Sequence, residues 1–302
     1  MILVTGSLAF DFIMNFPGKF SDHILPEKIH TINLSFLVKD LHHERGGCAA
    51  NIAYNLALLG EKPAILGTLG RNGRAYKRWL AVQGVDVSLV RISQSKNTSS
   101  AFIMTDAVDN QITGFYPGAM SANTRLRVPQ AEFVIIAPNE PKAMINFAKE
   151  CQELKIPYLF DPGMELPKLS KKDLQIGMRG AKIIIGNDYE MSLINSKLKN
   201  SSDKDTSKVS ADFTLEVKES EVARRGNQIW VTTLGEKGSM IEHRGKKIRV
   251  AAAKPKSLAD PTGAGDAYRA GFVYGYLRGF DLQTAGQIGS TCAVYTVEKY
   301  GM

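Results

Sequence analysis

The residues best suited to chemistry lie in the stretch Asp260-Pro261-Thr262-Gly263-Ala264-Gly265-Asp266-Ala267-Tyr268-Arg269-Ala270-Gly271-Phe272. Ala267, Ala270, Gly271, Tyr274 and Leu277 follow at helical spacing, so a helix is expected to open near Ala264. Glycines at a helix start leave backbone N–H groups free, with the helix dipole behind them. Gly263, Ala264 and Gly265 therefore form a candidate anion hole, suited to a phosphoryl group that gains charge during transfer. Asp266, in the same turn, can take the proton of an attacking hydroxyl. Two other phosphate motifs do not fit. A Walker A loop needs Lys and then Ser or Thr where Asp266 and Ala267 stand, and a dinucleotide fingerprint needs glycine where Tyr268 stands, early in the chain. Standing alone, the glycines would equally serve a tight turn and close helix packing.

Four smaller groups belong with this stretch. Gly46-Gly47 precede a helical pattern that carries Asn51 one turn in, so the backbone there can approach a ligand and Asn51 can bind a hydroxyl. Asp11, just past the first strand, is either a turn residue or an acceptor for two neighbouring hydroxyls. Asn187 and Glu190 follow the apolar run Ile183-Ile184-Ile185-Gly186; they read either as a helix capping box or as a pair near a hydrated magnesium ion. Thr233-Leu234-Gly235 joins a strand to a hairpin, and Gly235 lets a nucleotide lie against the backbone.

These residues need a scaffold that gathers them at one edge. Strands are expected at Ile2–Gly6, Pro63–Thr68, Phe133–Ala137, Pro157–Asp161, Ile183–Gly186 and Ile229–Thr233, several as continuous apolar runs of the kind buried on both faces. Helical patterns lie between them at Ala49–Leu59, Gly73–Gln83 and Pro141–Leu154, and from Asp188 onward. This alternation predicts an α/β fold with a mostly parallel, doubly covered sheet. Residues of about 11–45 and 98–118 break the pattern with period-2 stretches and a hairpin turned at Asp109-Asn110, and are expected to form a small β-sheet lid on a single domain of 302 residues.

Composition sets the outer limits. The hydrophobic fraction of 44% and charged fraction of 23% exclude a disordered chain. No apolar run approaches the roughly 18–20 residues of a membrane span, and no basic leader is visible, so a cytoplasmic protein without membrane association is expected. Cys48, Cys151 and Cys292 are too scattered for a disulfide framework or a zinc cluster. The net charge is +8, and a Lys- and Ser-rich segment at 196–218, whose lysines are nearly balanced by acidic residues, reads as a solvated insertion. It lacks the aromatic interleaving of a single-strand platform, so no nucleic-acid partner is expected.

In their order along the chain, Gly46-Gly47 with Asn51, Asn187 with Glu190, Thr233-Leu234-Gly235 and the Asp260–Asp266 stretch resemble the PfkB (ribokinase-like) family of sugar and nucleoside kinases across nearly the whole sequence. Gly6-Ser7-Leu8-Ala9-Phe10-Asp11, His23-Ile24-Leu25-Pro26, Ile32-Asn33-Leu34-Ser35-Phe36, Phe115-Tyr116-Pro117-Gly118-Ala119-Met120 and Phe160-Asp161-Pro162-Gly163 are most similar to bacterial adenosine kinases of that family. The resemblance implies a three-layer αβα sandwich and an ATP- and Mg²⁺-dependent kinase for the 5′-hydroxyl of adenosine; a broader nucleoside kinase or a kinase for ribose or fructose is the alternative. It implies Asp266 as base, Gly263, Ala264 and Gly265 around the γ-phosphate, and Asn187 and Glu190 at magnesium. Asp11, Gly46, Gly47 and Asn51 would hold the ribose hydroxyls, with Phe36, Phe102 or Phe115 stacked on the base. Asn187, Thr233 and Gly235 would touch ATP, a monovalent cation such as K⁺ would bind near the last motif, and the chain would be a monomer or homodimer. Two departures stand out. Leu69-Gly70-Arg71-Asn72-Gly73 lacks the aspartate usual in simple-sugar kinases, and relatives commonly continue past Tyr300-Gly301-Met302.

Overall fold

The computed structural model describes residues 1–24, 30–31, 33–108, 110–199, 226–258 and 262–298. Asp260-Pro261, Asp109, most of the Lys-rich segment and the C-terminal Tyr300–Met302 lie outside them.

The chain begins with β1 (Ile2–Thr5), β2 (Ala9–Asn15), β3 (Asp40–Gly46), α1 (Cys48–Leu58), β4 (Ala64–Leu69), α2 (Arg74–Val82) and β5 (Val90–Ile92). A hairpin of β6 (Ser99–Thr105) and β7 (Gln111–Tyr116) follows, then β8 (Phe133–Ile136), α3 (Pro141–Glu153), β9 (Tyr158–Phe160), α4 (Lys171–Arg179), β10 (Ile183–Asn187) and α5 (Asp188–Lys199). The remainder is β11 (Ile229–Thr233), β12 (Ser239–His243), β13 (Lys246–Val250), α6 (Ala264–Leu277) and α7 (Leu282–Val297). The expected strands and helices occur within a residue or two of their predicted bounds. The short β5 and the helices α4 and α7 carried no expectation.

The large sheet has the order β13-β12-β11-β10-β9-β8-β1-β4-β5. From β11 to β5 all neighbours are parallel, and β12 and β13 extend one edge as an antiparallel hairpin. Side-chain alternation divides the core in two. Ile2, Val4, Ile135, Ile183, Ile185 and Val231 pack on one face against α1, α2, α6 and α7. Leu3, Val134, Ile136, Ile184 and Trp230 pack on the other against α3, α4 and α5. Every second residue of one apolar run thus serves a different helical layer, which is why these strands show no polar face in the sequence. The result is the three-layer αβα sandwich with a mostly parallel sheet.

The smaller sheet has the order β3-β2-β6-β7 and is mixed: β2 runs parallel to β6 and antiparallel to β3. Its hairpin is tied by Asp106. That carboxylate accepts hydrogen bonds from the backbone of Phe20, Val108 and Asn110 and from the Asn110 amide. Burial opposes the charge, but these donors hold the Asp106 pKa down to about 2. At the base of β6 the loop lacking the sugar-kinase aspartate has a structural use: Asn72 accepts from Thr98 N–H, and Thr98 Oγ1 accepts from Gly70 N–H. Among the described residues, no helix is long and apolar enough to cross a membrane.

Candidate active site

The C-terminal ends of parallel strands are where an open α/β sheet offers its crevice, and the predicted residues gather there. Gly263 is the N-cap of α6, with φ 82° in the left-handed region that glycine tolerates. The first helical bond runs from Ala267 N–H to Gly263 C=O. Among the described residues, no acceptor is bonded to the N–H of Ala264 or Gly265. Close packing of α7 fixes the axis behind them: a methyl at Gly271 would lie 2.9 Å from the Gly289 backbone.

Asn51, on α1, donates from Nδ2 to Asp266 Oδ2 at 2.8 Å. This one bond joins two motifs 215 residues apart in the sequence. Burial pushes the Asp266 pKa up to about 6; Arg269 and the Asn51 bond pull it down, and Asp161 adds to the rise. The group is thus largely ionised at neutral pH yet basic enough to accept a proton. Gly47, the N-cap of α1, has φ 98°, and a Cβ there would meet Ser7 O at 2.6 Å and Ala9 N at 2.7 Å. At Gly46 a Cβ would overlap the Asp11 carboxylate, so glycine is what lets Asp11 lie flat on the end of β3. Asp11, Gly46, Gly47, Asn51, Gly263 and Asp266 are therefore one neighbourhood.

Asn187 and Glu190 form a reciprocal capping box: Glu190 N–H donates to Asn187 Oδ1 at 2.7 Å and Asn187 N–H to Glu190 Oε2 at 2.8 Å. The capping function is real, and it fixes both side chains at the end of β10. Burial raises the Glu190 pKa, and Asp161 raises it further, so the pair sits in an electronegative corner. Asn187 lies opposite Thr233 in the β10–β11 register, and Gly235 follows, exposed and left-handed at φ 57°. These three belong to one edge of the site.

The small sheet sorts the three aromatic candidates. Phe115 shares a face with Asp11, through Ala101 on the intervening strand. Phe102 points to the opposite face, stacked on Phe12 at 5.0 Å between ring centroids. Phe36 packs in a cluster with Phe16, Phe20 and His23. Of the two candidates on the sheet, Phe115 and not Phe102 shares the face of Asp11.

Three residues near Asp266 had no assigned role in the sequence reading. Cys48 is the first residue of α1; burial, then Asp266 and Asp161, push its thiol pKa well above the ordinary value. Arg269 is buried and paired with Asp161 just beyond β9. The available signal for Arg269 was a charge beside Ala267, Ala270, Gly271 and Phe272 on a helix whose one other charged residue is Asp266.

Comparison with known proteins bears on the family and the fold. The pfkB family carbohydrate kinase profile matches residues 9–302. A nucleoside kinase of Methanocaldococcus jannaschii is 31% identical over 99% of this chain and 91% of its own. The solved structure of Burkholderia thailandensis nucleoside kinase in complex with inosine superposes with a TM-score of 0.86 at 34% identity, covering 100% of this chain and 92% of that one. The same enzyme in complex with ADP-inosine gives a TM-score of 0.83 at 35% identity, covering 100% and 90%.

Proposed function

The chain belongs to the pfkB family of carbohydrate kinases, phosphotransferases that act on hydroxyl groups, and from that premise we propose that it transfers the γ-phosphate of ATP to the 5′-hydroxyl of nucleosides, adenosine among them. The observation that carries the chemistry is the Asn51–Asp266 bond beside the open start of α6. The nucleoside acceptor is supported by the likeness to nucleoside kinases over nearly the full chain. An inosine complex among these neighbours favours a tolerant base pocket over one closed around adenine.

In this mechanism Asp266 accepts the proton of the 5′-hydroxyl as its oxygen attacks phosphorus. The amide of Asn51 orients the carboxylate and neutralises part of its charge. Backbone N–H groups of Gly263, Ala264 and Gly265 take up charge that develops on the transferred phosphoryl oxygens, without reorganising as it appears. Asp11 accepts from the ribose 2′- and 3′-hydroxyls while Gly46 and Gly47 let the sugar lie against the backbone, and Asn51 bridges sugar and base catalyst. A deoxynucleoside leaves part of this polar set unsatisfied and is discriminated against. Phe115 covers the nucleobase from the small sheet, which acts as a lid. Thr233, Gly235 and Asn187 flank the nucleotide.

The corner around Asn187 and Glu190 suits a hydrated magnesium ion by its chemistry: the Glu190 carboxylate is a hard oxygen donor, and Asp161 and Asp188 add negative charge around it. When bound, Mg²⁺ supplies charge neutralisation at the phosphates, with Asn187 and Glu190 holding its waters.

The test is ADP release from ATP and Mg²⁺ with adenosine, inosine, cytidine, ribose and fructose side by side. Turnover with several nucleosides, and at least tenfold less with the free sugars, is expected. Preference for ribose or fructose would overturn the acceptor assignment.

A further inference from the structure

Arg269 lies one turn beyond Asp266 on α6, buried, in a place where a charge needs a reason. Its Nε donates to Asp161 Oδ2 at 2.5 Å, and its Nη1 donates to the carbonyl of Gly265 at 2.9 Å. Asp161 directly follows β9, which is hydrogen-bonded on one side to β8 and on the other to β10. It is therefore anchored to the middle of the sheet. A single planar fork thus ties the sheet centre to Gly265, one of the residues whose N–H faces the proposed phosphoryl site. A lysine at this position would offer the charge without the fork. Buried ion pairs seldom repay their desolvation as stability, so this one calls for another use.

We propose that Arg269, seated on Asp161, is a positioning residue for phosphoryl transfer: its bond to the Gly265 carbonyl holds the Gly265–Asp266 peptide in the first turn of α6, and with it the placement of the Asp266 carboxyl, and it supplies a fixed positive charge beside that carboxyl. The proposal rests on the assignment of Asp266 as base. The groups acting on Asp266 are Cys48 and Asn51 from α1, Arg269 from α6 itself and Asp161 from the sheet; Glu190 acts on Arg269 from α5. Burial works against the charge of Arg269, but Asp161, Asp266 and Glu190 outweigh it and keep the guanidinium charged. Arg269 favours the ionised form of Asp266 and Asp161 opposes it, so removing either should move the working pH range in opposite senses.

The experiment is the pH dependence of kcat/KM, together with kcat and the nucleoside KM, for Arg269→Met, Arg269→Lys and Asp161→Asn, with thermal unfolding as the control for folding. Arg269→Met should shift the acid limb up by about one pH unit, and Asp161→Asn should shift it down. Arg269→Lys should keep the limb near that of the unaltered protein. Without the fork, both Arg269 variants should lose at least tenfold in plateau kcat, with KM within about threefold. Should Arg269→Met leave Asp161 so poorly paired that the chain fails to fold, the double variant Arg269→Met/Asp161→Asn removes the pair as a unit, and its plateau kcat should still be at least tenfold low. Unmoved or same-direction limbs in the single variants, or unaltered kcat in folded Arg269 variants, overturn the proposal. An unaltered protein whose kcat/KM shows no acid limb at all would instead overturn the assignment of Asp266 on which it rests.

Discussion

Helices α1 and α6 both open on a left-handed glycine without a side-chain cap of their own, Gly47 at φ 98° and Gly263 at φ 82°, yet they treat their first N–H groups differently. At α1, the N–H of Cys48 donates to Ser7 Oγ at 3.0 Å and that of Ala49 to Ser7 C=O at 3.1 Å. The loop after β1 has consumed those donors. At α6, the N–H groups of Ala264 and Gly265 have no such bond among the described residues. The same local device is a structural joint in one helix and, in the proposed mechanism, the anion site in the other. Helix starts are ready-made for anions only while the protein itself leaves them unpaired. The two ends meet where Asn51, one turn into α1, holds Asp266, one turn into α6. The closed helix aims a side chain, and the other is the one the proposed mechanism opens to the ligand.

Glycine replacement separates the two starts most strongly. Gly47→Ala adds a methyl 2.6 Å from Ser7 O and 2.7 Å from Ala9 N in a conformation that L-residues avoid. Loss of about 3 kcal/mol or more is expected in denaturant unfolding. At Gly263 the nearest atoms among the described residues to an added Cβ are Asn51 Nδ2 and Thr296 Cγ2, both at 3.5 Å, so among those residues only the backbone strain of about 1 kcal/mol remains. For Gly263→Ala the larger consequence is functional: kcat/KM for ATP should fall about tenfold or more as the donors tilt away from the phosphoryl group. Equal stability losses at the two sites would remove the distinction drawn between them. The smallest effect is expected for Ser7→Ala, which strips the acceptor from Cys48 N–H. Stability should drop by about 1 kcal/mol with kcat within about twofold, as at other lost helix caps. A large kcat loss with stability intact would make the start of α1 part of the chemistry.

Much of this was readable from residue types and spacing. The continuous apolar runs within Ile183–Asn187 and Ile229–Thr233 betrayed a doubly covered sheet, and Gly263-Ala264-Gly265-Asp266 betrayed a helix start with a carboxylate in its first turn. What spacing could not supply was facing. Phe102 and Phe115 are equivalent as residue types, and only the register of β2, β6 and β7 puts Phe115 and not Phe102 on the face of Asp11. The partners of a charge were equally hidden. Arg269 and Asp161 stand 108 residues apart, and no local pattern joins them. Asn187 and Glu190 illustrate a further limit, because a capping box and a magnesium-positioning pair use the same residues at the same spacing, and here the capping bonds are made.

The most direct test of the account is the Asp266→Asn variant, assayed for ADP release at saturating ATP, Mg²⁺ and adenosine, with adenosine affinity measured separately. The amide is near isosteric, can still bond to Asn51 and cannot serve as a base. Turnover should therefore fall by about 10²-fold or more while adenosine affinity changes by less than about threefold. ADP release at the rate of the unaltered protein would contradict the assignment of Asp266, and with it the mechanism built on the open end of α6.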